Sequence, residues 1–340
     1  MFRHPLRGDA VTRRPWAYWL LLLSPLAAFL VAMQVGAYPV SWRAWWHLLA
    51  SGHGQEGQLQ AIIFDIRLPR IVLGMLVGVG LSASGATLQA VFRNPLVDAY
   101  IMGLSAGAAF GCAIAVGFIP ALPIQIGAFV FSLIAAFLAF TLARTRREVP
   151  TLSLILSGVV VSAFFTALVS IVKFLVDPMK LASIVFWLMG SLSQADWRAV
   201  GQAGPWILAG SLLIWLGRWR LNAMSMGDVE ARALGVDVGR ERGLFILAAA
   251  VTVAAAVSVT GIIGWVGLMI PHIVRMLVGP DHRRVIPLSM AAGASFMVLS
   301  DTAARTMVGG EIPVGIITTL FGAPFFIYLL KRGGAESWSL

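Results

Sequence analysis

Residues 244–278 read LFILAAAVTVAAAVSVTGIIGWVGLMIPHIVRMLV. The first part, to about residue 263, is an apolar run without a charge. At about 1.5 Å per helical residue it is long enough to cross about 30 Å of hydrocarbon. The remainder, 264–278, is apolar but short, and it carries Pro271, His272 and Arg275. Whether this piece crosses the membrane decides the topology. Outward from it, further apolar windows fall near 17–37, 71–91, 99–119, 123–143, 152–175, 204–217, 285–300 and 312–330. With 244–263 these are nine full windows, and 264–278 is a tenth, shorter one that is expected to be tilted, partial or broken.

Composition supports the same class. The chain has 340 residues, 59% hydrophobic and only 12% charged, where an average soluble domain carries about 25% charge. Mean hydropathy is +0.87. A water-soluble fold of this size cannot hide so much apolar surface, and disorder or a disulfide scaffold is excluded. The chain reads as an all-α integral membrane protein in one domain, residues 1–340. Its single cysteine, Cys112, lies in a small-residue apolar run and reads as buried filler.

Charge settles the span count. The net charge is +10, but the basic residues lie between spans, where topology explains them better than nucleic acid does. With ten spans and the N-terminus inside, seven cations fall outside: Arg43, Arg67, Arg70, Lys173, Lys180, Arg198 and Arg305. The other 18 of the 25 lysines and arginines fall inside, which is the positive-inside pattern. Nine spans would split Arg283-Arg284 from Lys331-Arg332 and weaken it. Both termini are therefore expected in the cytoplasm, with a short N-terminal segment 1–16 and a long cytoplasmic segment 218–243. The run from Trp16 to about Ala37, preceded by Arg13-Arg14, reads as the first span, since it is too long for a signal h-region.

Four polar stretches interrupt the spans. Residues 38–66 are expected as an outer loop whose Trp42, Trp45 and Trp46 rest at the interface. In the outer stretch 176–203, Leu181 to Leu192 is too short to cross and reads as a surface helix. The inner segment 226–241 contains Asp228, a plausible N-cap, and Gly235, a plausible C′ residue, of a short helix. Such a helix suits a docking partner. Residues 301–312 are an outer connection. Asp301 and Arg305, four apart, can pair on one helix face. Arg67 and Arg70 flank Pro69 where the second span begins outside. Snorkelling explains them locally, and an acidic external partner is the alternative.

Small residues recur at Gly74 and Gly78, and at Gly103, Gly107 and Gly111, a spacing that lets helices approach closely in lipid. No HExxH, CxxC, GxSxG or GxxxxGK[ST] signature occurs. If ATP is used, another chain binds it. His47, His53, His272 and His282 are scattered, so no metal site and no cofactor is expected on this chain.

Several stretches together resemble the permease subunits of ABC importers for iron-siderophore, haem and vitamin B12. They are RLPR at 67–70, SGATLQAVFRNPLVDAYIMGLSAGAAFG at 84–111, WLMGSL at 187–192 and GDVEARALGV at 227–236. GIIGWVGLMIPHIVRMLVGPDHRRVIP at 261–287, SDTAAR at 300–305 and EIPVGIITTLFGAPFFIYLLKR at 311–332 complete the set. The resemblance implies the type II ABC importer permease fold with ten helices. It implies a homodimer with a channel on its two-fold axis, in a bacterial or archaeal cytoplasmic membrane. It also implies two separate ATPase subunits, which use ATP and Mg, and an external substrate-binding protein. By the same resemblance Gly227, Asp228, Glu230, Ala231, Arg232, Ala233, Leu234 and Gly235 belong to the ATPase-coupling segment. Arg67, Arg70 and Arg305 face acidic residues of the binding protein. An iron chelate, siderophore or haem, is the expected cargo, with a corrinoid as the alternative. Met102, Met179 and Met189 are candidates for an apolar wall, against the plainer reading of core filling. A secondary transporter or channel working without an ATPase is the competing class. It predicts intramembrane acidic relays, and mid-span carboxylates are nearly absent here.

Overall fold

A computed structural model describes residues 15–36, 60–144, 151–307 and 310–332. Among the described residues there is no β-strand, as lipid demands of a chain without a closed barrel. In chain order the helices are α1 Pro15–Gln34, α2 Leu68–Phe92, α3 Leu104–Gly117, α4 Ile124–Ala143, α5 Thr151–Leu175 and α6 Pro178–Leu188. They continue with α7 Trp197–Met226, α8 Asp228–Ala233, α9 Val238–Thr260, α10 Val266–Val278, α11 His282–Thr306 and α12 Val314–Arg332.

Each of the ten apolar windows holds a helix. Among the described residues seven helices are long and apolar enough to cross a membrane by length and composition, and α3, α10 and α12 are shorter apolar ones. The helix expected in the stretch 176–203 is α6, and the one expected in 226–241 is α8. Two expectations change. The outer loop drawn over 38–66 ends earlier, because helix is already present at residue 60 and passes through a π-helical turn, Ile62–Arg67, into α2. The window 204–217 underestimates α7, whose polar ends are helical because Asp196 caps it, accepting from the Ala199 N–H. Trp42, Trp45 and Trp46, most of segment 1–16 and the C-terminus lie outside the described residues.

Aspartates start several helices, each accepting orphan backbone N–H groups. Asp177 caps α6, Asp237 caps α9 and Asp281 caps α11. Between α9 and α10 the chain breaks at Gly261, φ 71°, and re-enters helix after Trp265, φ 72°. The sequence suggested a partial or broken span here, and α10 is a thirteen-residue helix.

The centre of the bundle is α2, α9 and α11. Their apolar windows are 78%, 72% and 67% buried, against 28–39% for α1, α4, α5 and α7. Small residues make this possible. A Cβ on Gly78 would collide with the Gly293 backbone of α11, and one on Gly85 with the Gly267 carbonyl of α10. Gly111 of α3 meets Gly127 of α4 in the same way. The peripheral helices keep apolar faces outward, as Val160, Phe164 and Phe174 of α5 do, because lipid is their solvent. Cys112 is buried, as expected. So is Met102, whereas Met179 and Met189 are exposed.

Candidate sites at the two ends of the bundle

Helix α2 has 25 residues and is therefore about 37 Å long. A polar cluster lies at each of its ends.

At its C-terminal end sits α8. Gly227, φ 145°, is the N-cap, so Asp228 is the first helical residue rather than the cap the sequence suggested. A side chain at Gly227 would collide with the Glu230 carboxylate. The far end closes as the sequence predicted. Gly235 takes φ 80°, its N–H bonds to the Arg232 carbonyl, and the Val236 N–H bonds to Ala231 O at 3.0 Å. This is a Schellman closure, with buried Val236 and Ala231 as its apolar contact. Opposite Ala231, Arg232 and Ala233 are exposed. Val229 is 77% exposed and Leu234 61% exposed, beside Met226 at 67%. A capped, six-residue helix thus presents an apolar patch beside Glu230 and Arg232.

The Asp228 carboxylate turns the other way. It receives Nη2 of Arg242 at 3.0 and 3.1 Å and also pairs with Arg93. Arg93 is the residue after α2, and its Nε donates to Met224 O of α7 at 3.1 Å. Nearby, Arg220 pairs with Glu241. Asn222 donates to Asp281 at 2.7 Å and accepts from the His282 N–H at 2.8 Å, tying α7 to the start of α11. Burial alone would raise the Asp281 carboxyl. Donors from Asn222 and the Arg283 N–H, with the charges of Arg283 and Arg284, hold it below the usual carboxylate range. Deeper in the bundle, Arg275 of α10 bonds Gln89, whose amide donates to Gly267 O at 3.3 Å.

At the other end of α2, the three predicted docking arginines come together. Arg67, Arg70 and Arg305 are all largely buried. Arg67 donates to Met33 O at 2.6 Å, at the end of α1. Arg70 donates to Asp301 from Nε and Nη2, at 2.9 to 3.1 Å, and to Glu311 at 3.0 and 3.1 Å. Arg305 reaches Asp301 at 3.2 Å, the i,i+4 pair expected from sequence. Gly36 lies against both Arg67 and Arg305. Glu311, half exposed, was not singled out from sequence. Nothing local marks it, since its partner is 241 residues away.

A cavity of about 540 Å³ opens between α4, α6 and the end of α9. Gln125, Ser183, Trp187, Ser193, Gln194 and Thr260 are among its lining, and no charged side chain is.

The FecCD transport family matches residues 21–332 of this chain. The molybdate import system permease protein MolB of Haemophilus influenzae is 44% identical over 81% of this chain and 83% of that protein. The hemin transport system permease protein HmuU of Yersinia pestis is 35% identical over 96% of this chain and 98% of that protein. Among solved structures, a metal-chelate type ABC transporter in an inward-facing conformation superposes with a TM-score of 0.84 at 36% identity. That match covers 94% of this chain and all of that one.

Proposed function

Since the chain belongs to the FecCD transport family, we propose that it is the membrane-spanning half of an ATP-driven importer, working as a homodimer. Two separate ATP-binding subunits sit at the end that holds α8, and they bind the ATP and Mg. An external substrate-binding protein docks at the end that holds Arg67, Arg70 and Arg305. The α8 end is cytoplasmic, in the cytoplasmic membrane of a bacterium or archaeon.

The observation that carries this reading is the outward apolar patch of Val229 and Leu234, on α8 and at its C-cap, beside Met226 at the end of α7. Exposed apolar side chains in a polar, membrane-adjacent segment mark an interface with another protein. At the opposite end three largely buried guanidiniums outnumber the carboxylates of Asp301 and Glu311, and the surplus positive charge beneath that surface suits an acidic partner.

The cargo is an iron chelate, siderophore or haem, ahead of a corrinoid. The cavity lining supports this with hydroxyls, amides and an indole ring, which suit a bulky ligand with hydrogen-bonding oxygens. MolB, whose name carries molybdate, is as close a relative as any named above, so molybdate belongs in the test.

That test is uptake into proteoliposomes holding this chain with a candidate ATPase and a candidate binding protein from the same organism. Ferric hydroxamate, haemin, cobalamin and molybdate are offered separately. ATP-dependent uptake of an iron chelate, lost when either partner is omitted, is expected. Uptake that persists without the ATPase would instead make this a secondary transporter or channel.

A further inference from the structure

Arg93 sits in a conformation that its residue type disfavours. It terminates α2 with φ 50° and ψ 39°, the left-handed region, which glycine and asparagine enter most easily. An arginine there brings a guanidinium, and this one is used twice. Its Nε holds Met224 O in the last turn of α7, and its Nη2 holds the carboxylate of Asp228. The same carboxylate takes both contacts from Arg242, in the first turns of α9. Four elements therefore meet on one ion-pair node: α2, α7, α8 and α9. Gly227 leads into α8 and Gly235 leaves it, both at positive φ.

We propose that the Arg93–Asp228–Arg242 node is a positioning clamp that makes α8 move with the ends of α2 and α9, and so sets how much of the ATPase motion reaches the membrane helices. This rests on the reading of α8 as the ATPase contact. The carboxylate of Asp228 then acts inward on the permease, while Val229 and Leu234 act outward on the partner. The far end of α2 is held by Arg70 on Asp301 and Glu311. A displacement of the clamp is carried by a helix fixed at both ends to charged groups. Removing the node leaves the closure at Gly235 and Val236 and the burial of Ala231 in place, but uncouples α8 from α2.

The test uses the complete complex in proteoliposomes and reads ATP hydrolysis with and without loaded binding protein, as a ratio. Arg93→Gln and Asp228→Asn are each expected to lower that ratio about tenfold. The double variant is expected to lower it by less than the product of the two singles, because both break the shared Arg93–Asp228 contact while each also loses one of its own, to Met224 O or to Arg242. Arg93→Lys keeps the charge but lacks the fork that holds Met224 and Asp228 together, so its ratio falls too, by less. It decides the matter should Arg93→Gln fail to assemble. An unchanged ratio in the Arg93 variants, or losses that multiply in the double variant, would overturn the clamp. Val229→Asp serves the underlying reading separately. It should abolish co-purification of the ATPase, and an ATPase that still co-purifies removes α8 as its contact, whatever the ratios are.

Discussion

Asp301 is buried between two arginines, and the two differ in how readily a reader of the sequence could find them. Arg305 lies four residues on and on the same helix face, so the i,i+4 rule finds it. Arg70 lies 231 residues away, and only the packing of α2 against α11 brings it in. Arg70 is also the better-buried partner of a multivalent set, whereas Glu311 is half exposed. Breaking a buried pair from one side costs about 3–5 kcal/mol, and an exposed pair about 1 kcal/mol or less. Arg70→Gln should therefore lower the detergent melting temperature clearly, and Glu311→Gln only slightly. Equal melting shifts for the two, followed by intrinsic tryptophan fluorescence, would contradict this network. Asp228 shows the same limit of local reading. Its type and place suggested an N-cap, but Gly227 takes that position and the carboxylate goes to Arg93, 135 residues away.

Helix α10 is too short to be secured by its own length. It is held against α2 where Gly85 faces the Gly267 backbone, and by Arg275 through Gln89. The small-residue spacing along α2 was visible in the sequence, but not which glycine meets backbone and which meets a side chain. A Cβ on Gly74 would meet Leu192 Cδ1, the tip of a flexible side chain, at 3.3 Å. Gly85→Ala must push two helices apart, which in a tight interface costs about 1–3 kcal/mol. Gly74→Ala needs only a small shift of Leu192. The expected result is a sharp loss of monodisperse protein in size-exclusion chromatography for Gly85→Ala and a near-normal profile for Gly74→Ala. The reverse order would mean that α10 does not rest on α2 in the membrane.

Across the molecule, the two polar clusters lie at opposite ends of α2, so they belong on opposite sides of the bilayer. The ten-span reading puts 144–150, 218–243 and 279–284 inside, and 45–60, 176–180 and 306–312 outside. Single cysteines in a Cys112→Ala background report this through a membrane-impermeant maleimide. A cysteine replacing the exposed Asp237 should label only after the cells are opened, and one replacing the exposed Met179 should label in intact cells. Labelling of the Asp237 position from outside would overturn the arrangement.

The membrane class, the ten helical windows and the unequal charge of their two ends follow from residue order alone. Transfer of a segment into hydrocarbon is a local quantity, summed over about twenty neighbours, and the bias of Lys and Arg is read from the adjoining loops. The helix already present at residue 60 and the full length of α7 escaped that reading, because caps and packing extend helices past their apolar stretch. The partners escaped it as well: Arg70 with Asp301 and Glu311, Arg93 with Asp228, Gly85 with Gly267. In lipid the apolar faces of helices are nearly interchangeable, so which face meets which is left to close packing of small residues and to buried polar groups that must find each other. Those contacts join distant parts of the chain, and they exist only once the bundle has closed.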